Sequence, residues 1–157
     1  GTDGPYVGLL HTALRKAGFS GAIIDLQHDA PIFAPVAAGY LLEALLPHLV
    51  QPGVVVAVVD PGVGGERQGL VVNLPGQRLV GPDNGLFAPL LSQAGAIARI
   101  AWRPTDLSAT FHGRDWFAPV GARLAKGEQV PLETLSAADC VGNDNATLFS
   151  FKRDYSH

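Results

Sequence analysis

Two residue types are scarce or absent in this sequence. It contains one cysteine, Cys140, and no methionine. A single cysteine cannot form a disulfide within the chain, and it cannot supply a cysteine-rich zinc site. No signal-peptide pattern is recognisable in the first residues. We therefore predict a reducing environment, with the cytoplasm as the location.

Long hydrophobic runs and clusters of positive charge are also lacking. The apolar stretch at residues 54–59 ends at Asp60, well short of the roughly 20 residues that a membrane-spanning helix needs. The chain has 11 Lys and Arg against 14 Asp and Glu, for a net charge of −3, and its basic residues are scattered. This balance predicts neither nucleic acid nor a membrane surface as a partner.

The sequence begins with residues that favour loops. It reads GTDGP and has no initiator methionine, and glycine and proline in this combination are typical of turns. We expect that the first strand of the domain is missing from this sequence.

The remaining composition predicts one folded domain organised around one stretch. Of the 157 residues, 47% are hydrophobic, which is enough for a core. In VVVAVVDPGVGGER, residues 54–67, the apolar run predicts a strand buried on both faces, and proline and glycine then turn the chain. Ligands of open α/β sheets bind beyond the carboxyl ends of such strands. Asp60 and Arg67 are therefore candidate site residues.

Apolar residues at helical spacing predict three helices. They cover residues 5–18, 36–49 and 116–126, and Gly18 is the predicted stop of the first. Asp115 is the predicted N-cap of the third. The segment GLFAPLLSQAG predicts a further helix, interrupted by its proline.

Strand patterns alternate with these helices. Residues 22–24 predict a second core strand, GLVVNL and RLVGP predict a hairpin that turns at Pro75 and Gly76, and IARIAW predicts another strand. Alternating strands and helices predict an α/β fold, a layered α/β/α domain with a largely parallel central sheet.

The glycine-rich turn after Asp60 has several interpretations. A dinucleotide fingerprint would need glycine three positions after Gly64, where Arg67 stands, and no GK[ST] follows for a phosphate loop. Asp60 alone could cap the turn through the amides of Gly62 or Val63. Arg67 alone could be a surface or a salt-bridging residue. Together, the two side chains could face one cavity.

A second cluster of candidate functional side chains lies in ATFHGRDWFAP, residues 109–119. In the plain interpretation His112 lies on a loop surface, Arg114 forms an ion pair and Asp115 caps a helix. His112 and Asp115 could also be two metal ligands, but no third ligand stands at a suitable spacing. We therefore predict no metal site.

Other polar residues give weaker signals. His48 is favoured by its place near a helix C-terminus, and His28 either lines the cleft or is a hydrogen-bonded structural residue. No GxSxG is present and Cys140 lies in the tail, so covalent nucleophilic catalysis has no candidate.

Several blocks, taken in order, resemble one family. VVDPGVGGER, GPDNGL and SATFHGRDWFAP, with PYVG near the start and DLQHD between, are similar to the S-adenosyl-L-methionine (SAM) hydroxide adenosyltransferases, relatives of the fluorinase and chlorinase enzymes. The resemblance implies hydrolysis of SAM to adenosine and L-methionine, without a cofactor. The halogenating relatives differ at the aspartate and histidine positions and carry a longer insertion before the PDNG-like block. The residues here therefore favour water over halide as the nucleophile.

The resemblance also implies roles for individual residues. The catalytic set that would handle the attacking water is Asp60, Arg67 and His112. The residues that would line the nucleoside pocket are Phe33, Asn84, Phe111 and Gly113. Since a sulfonium is a good leaving group, the chemical difficulty lies in presenting water or hydroxide in line with the ribose 5′-carbon.

The sequence departs from the family pattern at both ends. The family's TDFG block and its C-terminal β-barrel domain, which completes the pocket across a trimer interface, are not found. We divide the chain into an α/β domain at residues 1–135 and an irregular extension at residues 136–157, and the resemblance implies a homotrimer. The alternative to a hydrolase is a truncated, non-catalytic nucleoside-binding or assembly domain. A SAM-dependent halogenase is a third possibility.

Overall fold

A computed structural model of the chain describes residues 5–28, 34–61, 65–107 and 111–142. The α-helices in these ranges are α1 (Tyr6–Lys16), α2 (Pro35–Leu45) and α3 (Ala118–Ala125). Shorter helical turns follow α2 at Leu46–His48, precede the fourth strand at Ala88–Gln93, and lie at Ala137–Asp139. A π-helical turn, Gly113–Phe117, leads directly into α3.

The described strands form one five-stranded sheet. They are β1 (Gly53–Val56), β2 (Gly69–Leu74), β3 (Gln77–Pro82), β4 (Ala96–Ile100) and β5 (Leu132–Leu135), in the order β1-β3-β2-β4-β5. The predicted hairpin is confirmed, since β2 pairs with β3 around Pro75 and Gly76, where Gly76 adopts a φ of 77°. Glycine takes such a positive φ without steric cost.

The α/β class is confirmed, but the predicted strand direction is wrong for most of the sheet. Only β1 and β3 run parallel, whereas β2 is antiparallel to both of its neighbours and β4 is antiparallel to β5. The tight turn between β2 and β3 requires an antiparallel pair. The described residues contain no β-barrel domain.

Helices cover both faces of the sheet, as the layered prediction requires. On one face Leu70, Val72 and Leu79 pack with α2 and the turn at Ala88–Gln93. On the other face Val71 and Val80 pack with the π-helical turn and α3. Successive strand residues point to opposite faces, so β1, β2, β3 and β4 each contribute to both cores.

Two local predictions are wrong and one is confirmed. Residues 22–24 are not a strand, and Ile24 is 70% exposed because no neighbouring strand covers it. Asp115 does not cap a helix, since it lies inside the π-helical turn and accepts hydrogen bonds from Arg114 at 2.6 and 3.0 Å. The predicted stop of α1 is confirmed, because Gly18 follows the helix with a φ of 89°.

Two further predictions concern the predicted C-terminal extension and the membrane. Residues 136–142 of the extension are described, with Cys140 buried in the core. The division at residue 135 stays a prediction. Among the described residues, no helix is both long and apolar enough to cross a bilayer.

Candidate active site

Asp60 lies beyond the carboxyl end of β1, on a segment that continues the strand. The amide of Ala57 donates to the carbonyl of Val80 at 2.9 Å, which extends the contact with β3. The side chain of Asn84 donates to the carbonyl of Val59 at 2.8 Å. These bonds fix the backbone on which Asp60 stands.

Arg67 meets Asp60 in a two-point ion pair. Its Nε donates to Oδ1 of Asp60 at 2.7 Å, and its Nη2 donates to Oδ2. The arginine side chain is 9% exposed and the aspartate side chain 4%. The planar guanidinium matches a carboxylate in this geometry. Arg67 is therefore a salt-bridging residue, as one plain interpretation predicted, but its side chain is not at the surface. Its Nη2 also faces His112.

His112 completes the group. Its Nδ1 lies 2.8 Å from Nη2 of Arg67, and the residue is 3% exposed. Arginine has donors only, so Nδ1 is the acceptor and the neutral imidazole carries its proton on Nε2. The loop-surface interpretation of His112 is wrong. The structure thus brings together the three side chains that the resemblance selected.

One donor of Arg67 has no acceptor. Its Nη1 is buried and has no hydrogen-bond partner among the described residues. A buried donor left without a partner costs about 1–3 kcal/mol, and more when it belongs to a charged group. Such an atom indicates a place for a polar ligand, for example a water molecule, a hydroxide or another anion.

Aromatic rings shield this group from solvent. The guanidinium carbon of Arg67 lies 5.5 Å from the centre of the Phe117 ring, and His112 meets the Trp116 ring edge-on at 5.8 Å. Trp116 is anchored because its indole donates to the carbonyl of Trp102 at 2.8 Å. In an apolar surrounding the charges interact more strongly than they would in water.

The structure gives the surroundings of three of the four predicted pocket residues. Asn84 uses its amide on backbone groups, the carbonyl of Val59 and the amide of Leu86. Phe111 is half-buried beneath the guanidinium of Arg114, at 4.4 Å from the ring centre. Gly113 is buried beside His112, and Phe33 lies outside the described residues.

Tyr6 is a neighbour that the sequence did not single out. A side chain at Gly113 would overlap with the hydroxyl of Tyr6, so the phenol reaches the residue next to His112. Burial raises the pKa of Tyr6 to about 12, with a smaller contribution from the charge of Asp60. The signal in the sequence is the PYVG block alone.

Other histidines lie apart from the three-residue group. His11 and His28 both face Asp25, with Nε2 to Oδ1 distances of 2.7 and 3.4 Å. The bond from His11 is the main reason that the pKa of Asp25 is lowered. In the described part of the chain, no three His, Cys, Asp or Glu side chains are arranged to hold a metal ion.

A large apolar cavity lies next to the group without containing it. It has a volume of about 950 Å³, between α1, α2, β1 and residues 22–28. Tyr6, Val58 and Val59 contribute to its wall, but Asp60, Arg67 and His112 do not. The buried polar group is therefore separate from the larger space.

Sequence comparison identifies relatives of this chain. Residues 1–135 match the family described as SAM hydroxide adenosyltransferase N-terminal domain. The chain belongs to this family. It is 40% identical to the (R)-S-adenosyl-L-methionine hydrolase of Thermus thermophilus, over 87% of this chain and 60% of that protein. It is 39% identical to the hydrolase of the same name from Methanocaldococcus jannaschii, over 79% of this chain and 49% of that protein.

Solved structures show the same fold. A conserved protein of Thermotoga maritima superposes with a TM-score of 0.76 at 30% identity, over 87% of this chain and 58% of that one. A conserved hypothetical protein of Thermus thermophilus gives a TM-score of 0.71 at 33% identity, over 90% of this chain and 57% of that one. The chain thus spans about half to three fifths of the length of these relatives.

Proposed function

We propose that this chain carries the water-handling part of a SAM hydrolase, which converts SAM to adenosine and L-methionine. The observation that carries the proposal is the buried Nη1 of Arg67, which has no acceptor among the described residues and belongs to a guanidinium already bound to Asp60 and His112. Family membership and the name of the relatives support the choice of substrate.

The proposed reaction is a displacement at the ribose 5′-carbon. The proton of the attacking water passes to solvent, and the resulting hydroxide oxygen forms a bond to this carbon as the bond from carbon to sulfur breaks. The electron pair of that bond moves to sulfur, so the sulfonium becomes the neutral thioether of methionine. No acid is needed at sulfur, because the leaving group departs without a negative charge.

The proposed role of Arg67 is to stabilise hydroxide. A hydroxide that accepts a hydrogen bond from Nη1 would gain from a positive charge in a shielded site. Asp60 holds the guanidinium in orientation through two oxygens, and in this arrangement those oxygens are occupied by Arg67. The proposed role of His112 is to orient the nucleophile, and proton uptake at Nδ1 would require Arg67 to move away.

Binding of the nucleoside is proposed for Phe33, Asn84, Phe111 and Gly113 on the basis of the family resemblance. We also propose that the reaction needs no cofactor and that neither nucleic acid nor a membrane is a partner. Location in the cytoplasm and assembly as a homotrimer are further proposals. Light scattering after gel filtration tests the trimer.

The proposal is tested by incubating the purified protein with SAM in ¹⁸O-labelled water. We expect adenosine with the label at its 5′-oxygen, together with methionine. The variant Arg67→Lys keeps a positive charge but loses the planar donors, and we expect kcat to fall by about 100-fold or more. Arg99→Lys is the matched control, since Arg99 is partly exposed and pairs with Glu133, and its kcat should change less than about twofold.

Other outcomes identify the alternatives. Folded protein that binds adenosine in calorimetry but releases no product from SAM would contradict the hydrolase and support a nucleoside-binding domain. A halogenated nucleoside that requires chloride or fluoride would support a halogenase. Unlabelled adenosine would contradict attack by water at the 5′-carbon.

A further inference from the structure

Tyr6 occupies the space directly above the backbone of Gly113. It is the first residue of α1, a helix that packs against the π-helical turn and α3. A Cβ atom at position 113 would overlap with the Tyr6 hydroxyl and would lie 3.3 Å from Cζ of the same ring. The phenol can therefore take this position only because residue 113 has no side chain.

Gly113, which this hydroxyl contacts, also lies beside the segment that carries Asp60. Gly113 follows His112 directly, and a Cβ at Gly113 would also lie 3.3 Å from Cγ2 of Val58, two residues before Asp60. Tyr6 thus contacts the π-helical turn next to the segment that continues β1.

The phenol adds no charge to the site. Its pKa is raised to about 12, chiefly by burial and further by the negative charge of Asp60. At neutral pH it is a neutral hydroxyl, and it leaves the pairing of Asp60 with Arg67 undisturbed. Its contribution is shape and a hydroxyl dipole at a fixed place.

We propose that Tyr6 is a positioning residue of the hydrolase, whose hydroxyl holds His112 and Gly113 in register with Asp60 and Arg67. This inference rests on the proposed function. Small displacements of catalytic groups lower turnover strongly, whereas ground-state binding through other contacts is preserved. The expected signature is therefore a lower kcat with little change in KM.

The first test is Tyr6→Phe, which retains the ring and removes the hydroxyl. We expect kcat to fall about tenfold, KM to stay within about twofold, and the melting temperature to stay close to that of the unmodified protein. Tyr40→Phe is the matched control, because Tyr40 is a half-buried tyrosine of α2, on the other face of the sheet. An unchanged kcat in Tyr6→Phe would overturn the inference.

The second test uses the contact between the hydroxyl and Gly113. Gly113→Ala should displace the phenol and lower kcat more than Tyr6→Phe does. Combining both substitutions removes the overlapping atom, and the closest ring atom is then 3.3 Å from the new methyl group. We expect the double variant to be more active than Gly113→Ala alone. A double variant that is no better would overturn the inference.

A measurement without turnover separates this inference from the proposed function. We expect Tyr6→Phe to shift the ring ¹H and ¹⁵N resonances of His112, and Tyr40→Phe to leave them in place. If the unmodified protein forms no adenosine but the resonances shift, the hydrolase proposal fails and the positioning contact is supported. Unshifted resonances would reject the contact.

Discussion

Asp60 and Asp83 are two buried carboxylates beyond the carboxyl ends of neighbouring strands, and they have very different partners. They follow β1 and β3, the strands that run parallel. The side chain of Asp60 is 4% exposed, and the whole residue Asp83 is 6% exposed. Asp60 binds a guanidinium through both oxygens, whereas Asp83 accepts a backbone N–H from Val141 at 2.9 Å.

This difference distinguishes the candidate active site at Asp60 from a structural contact at Asp83. The partner of Asp60 keeps a buried donor without an acceptor among the described residues, so a ligand can bind there. The hydrogen bond of Asp83 ties the chain segment near Cys140 to the core. Burial raises the pKa of Asp83, and the bond from Val141 lowers it by a smaller amount. Burial at a strand end alone therefore does not identify a catalytic acid.

The largest expected effect comes from removing the partner of Asp60. Arg67→Met leaves a buried carboxylate unpaired, and we expect the free energy of unfolding to fall by about 3–5 kcal/mol. Arg99→Met is the control, since its pair with Glu133 is partly exposed, and we expect a loss below about 1 kcal/mol. Urea unfolding at neutral pH measures both. Equal losses in the free energy of unfolding would show that the buried pair stabilises the fold no more than the exposed pair does.

The second prediction compares the activities of the two acids. Asp60→Asn removes the charge that holds Arg67, and we expect kcat for SAM hydrolysis to fall by about 100-fold. Asp83→Asn should keep kcat within about twofold, because its oxygen can still accept the amide of Val141. Similar losses from both substitutions would contradict the distinction between the candidate active site at Asp60 and the structural contact at Asp83.

The third prediction concerns stability and pH. Because the folded state raises the pKa of Asp83, wild-type protein has a stabilising contribution when this group is protonated and loses it as the pH rises through the folded pKa. Asp83→Asn should therefore be more stable than wild type at pH 7, by on the order of 1 kcal/mol. The difference should shrink below the unfolded pKa of Asp, about 4. Urea unfolding at both pH values tests it, and a variant less stable at pH 7 would contradict the sign.

The smallest expected effect is on the neighbouring thiol. Burial raises the pKa of Cys140 to about 11, and the charges of Asp83 and Asp139 contribute further. Asp83→Asn removes one of these charges, so the midpoint of alkylation rate against pH should move to lower pH. At pH 8 we expect an acceleration of about twofold to threefold, measured with iodoacetamide. A midpoint that stays in place would show that Asp83 does not act on this thiol.

Local chemistry accounts for the correct parts of the sequence-based fold. Pro75 and Gly76 lie between two apolar segments and predict a hairpin from a few neighbouring residues. The structure confirms this hairpin between β2 and β3. Residues 22–24 have the composition of a strand, but they line the large cavity together with β1 and do not pair with its open edge, which composition does not encode. Asp115 has the composition of a helix cap, but the π-helical turn begins before it. Its carboxylate accepts a hydrogen bond from Arg114 instead of capping a helix.

The candidate site was predictable only in part for a similar reason. A strand followed by a turn located Asp60 and Arg67, and family resemblance added His112. Their contacts join residues far apart in the chain, so the spare donor of Arg67 and the phenol of Tyr6 depend on packing that no local pattern expresses. Asn84 was predicted to face the nucleoside, and the structure shows its amide on the backbone next to Asp60.

The bond from Val141 to Asp83 also fixes where the rest of the chain departs. A side chain at Gly142 would lie 3.1 Å from Gly85, in the turn whose Asn84 holds the carbonyl of Val59. Any segment attached beyond this point starts within a few residues of the backbone that carries Asp60. A linker fused after residue 142 would therefore start beside a turn that is hydrogen-bonded to the backbone next to Asp60, which makes its length a design variable for this site.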